Sequence, residues 1–134
     1  MSLNDEERKI IVGLEYEKAL QTYNKIDILV AGEAWDFIAN RLYYALFHAV
    51  TALLVNDGHT AESHKGKVLV FGQFYVKTGL FTKDEAKLYS RLQTMRENAD
   101  YNCAFQTSEE EIVPFIKPAG ELIEKIHTML TFLD

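Results

Sequence analysis

The sequence predicts an all-α protein: one domain over residues 1–134, folded as an up-and-down bundle of about five helices. Apolar residues recur in steps of three and four along nearly the whole chain, which is the period of one helix face. No segment alternates apolar and polar residues, and two prolines with seven glycines are few for an all-β protein. A chain of 134 residues can bury a core without disulfides, and its single cysteine, Cys103, excludes an intrachain one.

The first helix is predicted from about Asn4 to Ala31. Gly32 follows as a stop signal, because glycine is the usual residue just past a helix end. Steps of four and three place one apolar stripe on this helix, formed by Val12, Tyr16, Ala19, Tyr23, Ile26 and Val30.

The second helix is predicted from Glu33 to Asn56 and ends in the turn Asn56-Asp57-Gly58. It is apolar on most sides, so it either lies at the centre of the core or shares a face with another subunit. Its apolar surface exceeds what the core of a single bundle of this size needs, and we therefore expect a homodimer. One face is built largely of small residues: Ala34, Ile38, Leu42, Ala45, Ala49 and Ala52.

The third helix is predicted to start after Ser63 and to end near residues 78–79. The fourth begins at Thr82, where the threonine hydroxyl and the carboxylate of Glu85 form a capping box. Its inward stripe is predicted to consist of Leu88, Leu92, Met95 and Ala99.

The fifth helix is predicted to open at Thr107 or Ser108, followed by three glutamates that suit the positive end of a helix. Pro114 and Pro118 each lack an amide donor, so a bend or a late start is expected there. The inward stripe of this helix is predicted to be Ile112, Ile116, Ala119, Ile123, Ile126, Leu130 and Leu133.

The charge of the chain limits its partners. Fourteen basic and 20 acidic side chains give a net charge of -6, which excludes a broad electrostatic surface for nucleic acid but allows a local basic cluster. The longest uncharged apolar run, Leu42 to Val55, is too short to span a bilayer. The acidic N-terminus lacks the order of a signal peptide, so we expect a cytoplasmic protein without a membrane partner.

The candidate metal ligands are few, and no metal or cofactor is expected. Glu124 and His127 have the Glu-x-x-His spacing of a di-iron helix, but the chain has one such motif and both residues flank the apolar stripe. His59 and His64 are too isolated for a closed zinc site without cysteines.

Two positions on the predicted second and third helices could also carry chemistry. His48, one turn after Tyr44 on a mostly apolar helix, is more often a buried side chain bonded to a neighbour than a catalytic group. In Ser63-His64-Lys65-Gly66 a hydroxyl, an imidazole and an ammonium lie together, although the serine also fits a helix cap.

The segment Arg96-Glu97-Asn98-Ala99-Asp100-Tyr101 places a guanidinium near the inward stripe of the fourth helix. Burying it without a partner is costly, and Asp100 lies one turn further on, where it can pair with Arg96. The pair is either structural or part of an anion clamp, since arginine can hold a phosphate through two parallel hydrogen bonds.

Three segments together resemble the signature of small prokaryotic HEPN-domain proteins. They are Arg41-Leu42-Tyr43-Tyr44-Ala45-Leu46-Phe47-His48-Ala49, then Ser63-His64-Lys65-Gly66, then residues 96–101. The order, the intervals and the helical context also match, and the resemblance covers nearly the whole chain.

The resemblance implies a helical bundle that dimerises and pairs with a minimal nucleotidyltransferase as a toxin–antitoxin system. Active members of the family are metal-independent RNases that carry an arginine, four to six residues and then a histidine; other members only bind. Here Arg96 matches the arginine, but the histidine positions hold Tyr101, Asn102 and Cys103.

The expected function is therefore the toxin-like or binding component of such a pair, engaging RNA or a nucleotide near Arg96. Alternatives are an RNase in which His48 or His64 serves as the base, and a helical adaptor without catalysis. Around Arg96, Asp100 and Tyr101 complete the predicted catalytic set; the predicted binding residues are Glu97, Asn98, Tyr44 and Lys65.

Overall fold

A computed structural model describes residues 3–131, and it confirms the all-α prediction, with no strand in that range. Within these residues five helical segments follow one another, the first of them broken once and the third extended by a turn of π-helix. In chain order the elements are α1 (Asp5–Asn24), α2 (Ile26–Ala31), α3 (Trp35–Asp57), α4 (His64–Phe71), the π-helical turn Gly72–Val76, α5 (Lys83–Tyr101) and α6 (Glu109–His127).

The predicted first helix is broken at Lys25. The hydroxyl of Thr22 donates to the carbonyl of Lys18 at 2.7 Å, a local bond that competes with the helical ladder. The amide of Lys25 donates to the carbonyl of Thr22 at 3.3 Å, a tighter turn that ends α1. Helix α2 then continues to Ala31, directly before Gly32, as predicted. The apolar stripe is confirmed across the break: every member is buried or half-buried.

Helix α3 starts at Trp35 and not at Glu33, because Glu33 adopts a left-handed backbone with φ of 54° that no helix can include. It ends as predicted at Gly58, where φ is 80°. The guanidinium of Arg8 packs here and donates to the carbonyl of Val55 at 3.3 Å. A side chain at position 58 would meet that guanidinium at 2.8 Å as well as straining the backbone.

Helix α3 is the central element and packs against α1, α5 and α6. The small-residue face of α3 is buried within the protomer, where the fully buried residues are Ile38, Leu42, Ala45, Ala49 and Ala52. This face therefore gives no support to the dimer prediction. Among residues 3–131, α3 alone is long and apolar enough to cross a membrane, and most of it is buried. Its apolar composition is that of a core helix.

Helix α4 begins after Ser63, whose hydroxyl accepts from the amide of Gly66 at 2.8 Å, as the cap interpretation predicts. The third helix was expected to stay α-helical to residues 78–79, but it widens to a π-helical turn after Phe71. This turn places Tyr75 in the core, where its hydroxyl donates to Asp57 at 2.6 Å.

Capping boxes set the starts of α5 and α6. Thr82 and Glu85 form the predicted box, and the carboxylate of Glu85 also accepts from Lys125 at 2.8 Å, which ties α5 to α6. Ser108 forms the second box with Glu111, so α6 starts at Glu109.

Both prolines lie inside α6, and the expected late start is wrong because the Ser108 box already bonds the first free amides. The predicted stripe is buried or half-buried from Ile112 to Leu130, and Leu133 lies outside the described residues.

Candidate functional site

Arg96 lies on the inner face of α5 and is 6% exposed. Its Nη1 atom lies 3.5 Å from Oδ2 of Asp100, so the predicted pair is formed one helical turn apart. Tight charge-assisted hydrogen bonds measure about 2.7–2.9 Å, and this pair is looser. The Nε atom of Arg96 is buried and has no hydrogen-bond partner among residues 3–131. The guanidinium is therefore desolvated but only partly matched.

The rings of two tyrosines of α3 lie against this guanidinium. The central carbon of the Arg96 guanidinium lies 5.0 Å from the ring centroid of Tyr43 and 5.8 Å from that of Tyr44. These distances lie within the range of cation–π attraction, which favours a planar cation over a ring face. These cation–π contacts hold the Arg96 guanidinium where α3 and α5 meet.

His64, the first residue of α4, reaches the same point. Its Nδ1 atom is hydrogen-bonded to the hydroxyl of Tyr43, and its ring packs 4.7 Å from the ring of Phe47. Burial, Arg96 and Lys67 lower the pKa of His64, and Glu97 opposes them. A shift below the ordinary pKa of about 6.5 favours the neutral imidazole of His64 at pH 7.

Tyr43 keeps its proton at neutral pH. Burial raises the pKa of its hydroxyl to about 12, although the guanidinium of Arg96 acts in the opposite direction. The site thus joins a cation, a neutral imidazole and a protonated phenol, contributed by α5, α4 and α3. We define the Arg96 site as Arg96, Asp100, Tyr43, Tyr44 and His64.

A protein-family model, described as the HEPN domain, matches residues 14–129. The chain belongs to the HEPN family. The matched range includes all five members of the Arg96 site, and the resemblance stated from the sequence is confirmed.

Three relatives extend this comparison. A "UPF0332 protein" of Thermotoga maritima is 31% identical over 128 residues, covering 94% of this chain and 95% of the relative. In Methanocaldococcus jannaschii, "Putative toxin MJ0605" is 28% identical over 128 residues, covering 96% of this chain and 94% of the relative. "Putative toxin MJ0142" of the same organism is 27% identical over 114 residues, covering 85% of this chain and 73% of the relative. This HEPN chain therefore has toxin-like relatives across most of its length.

The two histidines proposed as alternative bases occupy different places in this HEPN domain. His64 contacts the Arg96 site, whereas Nδ1 of His48 bonds to Oε2 of Glu15 on α1 at 2.7 Å. Tyr44 lies beside His48, with 6.4 Å between ring centroids. His48 is thus a half-buried side chain bonded to a neighbour, and the structure favours His64 as the histidine of the site.

The remaining predicted residues are only partly brought together. Glu97 accepts from Gln93 at 3.3 Å and acts electrostatically on His64, and Asn98 is half-buried on the same helix. Tyr101 ends α5 with 81% of its surface exposed, and Lys65 is exposed on α4. No hydrogen bond, ion pair or cation–π contact joins Tyr101 or Lys65 to Arg96 in the described part of the chain.

The sequence interpretation missed Tyr43 as a member of the Arg96 site, and Phe47 and Lys67 as neighbours of His64. Tyr43 and Phe47 are four residues apart on α3, which places them on one face, but an apolar face usually signals only core. The ammonium of Lys67 lies 4.3 Å from the ring centroid of Phe47 and donates to Thr51 at 3.1 Å. Burial lowers the pKa of Lys67, with Glu15 acting against it.

Within residues 3–131 no three histidine, cysteine, aspartate or glutamate side chains come close enough to share a metal ion. In the Glu124-x-x-His127 motif, the ring of His127 stacks on Tyr16 with 4.6 Å between centroids. This contact gives His127 a packing role at the surface of α6.

Proposed function

We propose that this HEPN chain is the toxin-like component of a toxin–antitoxin pair with a minimal nucleotidyltransferase, and that it binds a phosphate of RNA or of a nucleotide at the Arg96 site. The toxin-like relatives support the first half of this proposal. One observation carries the second: the guanidinium of Arg96 is buried and only loosely paired. A buried guanidinium binds a phosphate more strongly than an exposed one does, because burial has already removed the water molecules that compete for its N–H groups.

Asp100 marks the position of the ligand. Its carboxylate is the anion next to Arg96, and 35% of its side chain is exposed, so it can turn aside toward solvent. A phosphate that takes its place would keep the cation paired and would bring oxygens close to His64. The expected entry to the site is therefore from the Asp100 side of α5.

Co-purification and a binding titration test this function. The chain, expressed with the product of the neighbouring gene, is expected to co-purify with it, and fluorescence anisotropy is expected to detect a labelled single-stranded RNA. Competition by ATP would indicate that a nucleotide is also accepted, whereas competition by unlabelled RNA alone would indicate RNA. Failure to bind the gene product, RNA and ATP would reject the proposal.

Asp100→Asn is expected to raise RNA affinity about fivefold, because it removes a negative charge that competes with the phosphate, worth about 1 kcal/mol near a surface. The measurement is the anisotropy titration at fixed salt. Asp84→Asn, on the exposed first turn of the same helix, is the matched control and should leave the affinity unchanged. Weaker binding by Asp100→Asn alone would mean that the carboxylate orients Arg96 and does not compete with the ligand.

A metal-independent RNase is the second candidate, favoured by the neutral His64 beside Arg96. In this reaction the histidine would take the proton of a 2′-hydroxyl, whose oxygen then attacks the adjacent phosphate. The bond from phosphorus to the 5′-oxygen of the next nucleotide would break, the 5′-oxygen would leave with a proton from solvent, and a 2′,3′-cyclic phosphate would remain. Incubation of labelled RNA with the chain in EDTA decides the point. Products with cyclic phosphate ends that disappear in His64→Gln, but not in His48→Gln, would support it, and intact RNA at high protein concentration would exclude it.

We also propose a homodimer, formed through a groove between α1, α2 and α3. Ile28 and Phe37, which are 72% and 68% exposed, both line this groove, and exposed apolar side chains that lie together are typical of an association surface whereas a single one is not. Phe37→Asp is expected to shift the mass seen by light scattering from about twice 15.4 kDa to 15.4 kDa. Leu69→Asp, at an equally exposed position on α4, serves as the control. A wild-type mass of 15.4 kDa at micromolar concentration would contradict the dimer.

A further inference from the structure

The hydroxyl of Tyr43 reaches from the core of the bundle to the Arg96 site, where it is hydrogen-bonded to Nδ1 of His64. The ring of Tyr43 lies nearly parallel to the ring of Tyr89 on α5, with 6.0 Å between centroids. The hydroxyl of Tyr89 is fully buried and has no hydrogen-bond partner within residues 3–131. The contact between the two tyrosines is therefore one of packing, and the polar contact of Tyr43 is with His64.

The surroundings of Tyr43 determine which way its hydroxyl proton points. A phenol has one proton to donate and can accept from others. Burial raises the pKa of Tyr43 and the positive charge of Arg96 opposes it, so the guanidinium favours the phenol oxygen as an acceptor. Among residues 3–131 the hydrogen-bond partner of this hydroxyl is Nδ1 of His64. The proton of Tyr43 is therefore donated to Nδ1 of His64, since it would otherwise be buried without an acceptor.

An imidazole that accepts at Nδ1 and is neutral carries its proton on Nε2. The charged groups that face His64 are Arg96 on α5, Lys67 on α4 and, opposing them, Glu97 on α5. Burial, together with two cations against one carboxylate, lowers the pKa of His64 and so disfavours a second proton on the ring. The hydrogen bond to Tyr43 therefore selects one of the two neutral forms of His64.

We propose that Tyr43 is a positioning residue that holds neutral His64 with its proton on Nε2, so that His64 offers an N–H donor, next to the guanidinium of Arg96, to an oxygen of the bound phosphate. The role of this donor rests on the proposed function, whereas the protonation state of the free protein does not. A histidine in this form has no lone pair on Nε2 to receive a 2′-hydroxyl proton. The inference therefore favours binding over RNase chemistry at this site.

Nitrogen-15 NMR of histidine-labelled protein at pH 7.5 tests the inference, with His64→Gln identifying the signal. In the wild type we expect Nε2 to show the shift of a protonated nitrogen and Nδ1 that of an unprotonated one. Tyr43→Phe is expected to mix the two forms and to raise the midpoint of the His64 titration by about half a pH unit or more. Tyr89→Phe, which removes a neighbouring buried hydroxyl that has no hydrogen-bond partner within residues 3–131, is the matched control and should leave the populations unchanged.

Two results would overturn the inference: a wild-type His64 protonated on Nδ1, or unchanged populations in Tyr43→Phe with the fold retained by circular dichroism. The RNA titration keeps this outcome separate from the proposed function, since we expect Tyr43→Phe to bind roughly 3- to 10-fold more weakly through the lost donor orientation. Nε2 protonation without RNA or nucleotide binding would reject the function and leave the positioning role intact. Binding with Nδ1 protonation would do the reverse.

Discussion

Arg96→Ala is expected to lower the affinity of the chain for single-stranded RNA at least tenfold, and to abolish any competition by ATP. A charge-assisted pair of hydrogen bonds to phosphate is worth about 1.5–3 kcal/mol, which corresponds to roughly 10- to 150-fold in affinity. Arg96→Lys should recover only part of the loss, because an ammonium cannot form the two parallel bonds of a guanidinium. Anisotropy titrations at two salt concentrations measure both effects.

Arg91→Ala provides the matched control for Arg96→Ala. It removes the same charge from the same helix at an exposed position, so it reports the general electrostatic contribution alone. Arg96→Ala also breaks the pair with Asp100, and thermal unfolding should accompany each titration. A variant that is less stable by about 1–3 kcal/mol but binds RNA and the partner normally would identify the Arg96–Asp100 pair as purely structural.

Leu46→Ala is expected to reduce the free energy of unfolding by about 2–5 kcal/mol. Leu46 lies on α3 and is 0% exposed, so truncation leaves a cavity where the central helix meets its neighbours. Urea unfolding at one fixed protein concentration measures the loss, which keeps any contribution from association constant.

The same substitution at Leu69 separates burial from residue type. Leu69 is 72% exposed on α4, and Leu69→Ala should change the free energy of unfolding by less than about 0.5 kcal/mol. Equal losses for Leu46→Ala and Leu69→Ala would contradict the central position of α3.

Much of the fold follows from local sequence, because helices in this chain are specified by spacing and capping. The boxes at Thr82 and Ser108 and the cap at Ser63 depend on residues within one turn of each other. The Arg96–Asp100 pair is local in the same sense, since four residues span one helical turn. Interactions of this length can be identified without knowing the tertiary structure.

The rest of the site depends on contacts between distant segments. Tyr43 and His64 are 21 residues apart, and only the packing of α4 against α3 brings them together. The contact between His48 and Glu15 likewise joins residues 33 apart, so spacing alone left both histidines as possible bases. The break at Lys25 was also missed, because the apolar stripe continues through it and periodicity cannot detect one tightened turn.

Tyr43 has a wider consequence for genetics. It belongs to the innermost helix, yet it touches both the arginine of α5 and the histidine of α4. A substitution that loosens the interior is therefore expected to separate the groups of the Arg96 site as well. In a screen that scores growth inhibition, variants scattered through the interior would have the same phenotype as variants of the site itself, and only abundance measurements in the same cells would separate the two classes.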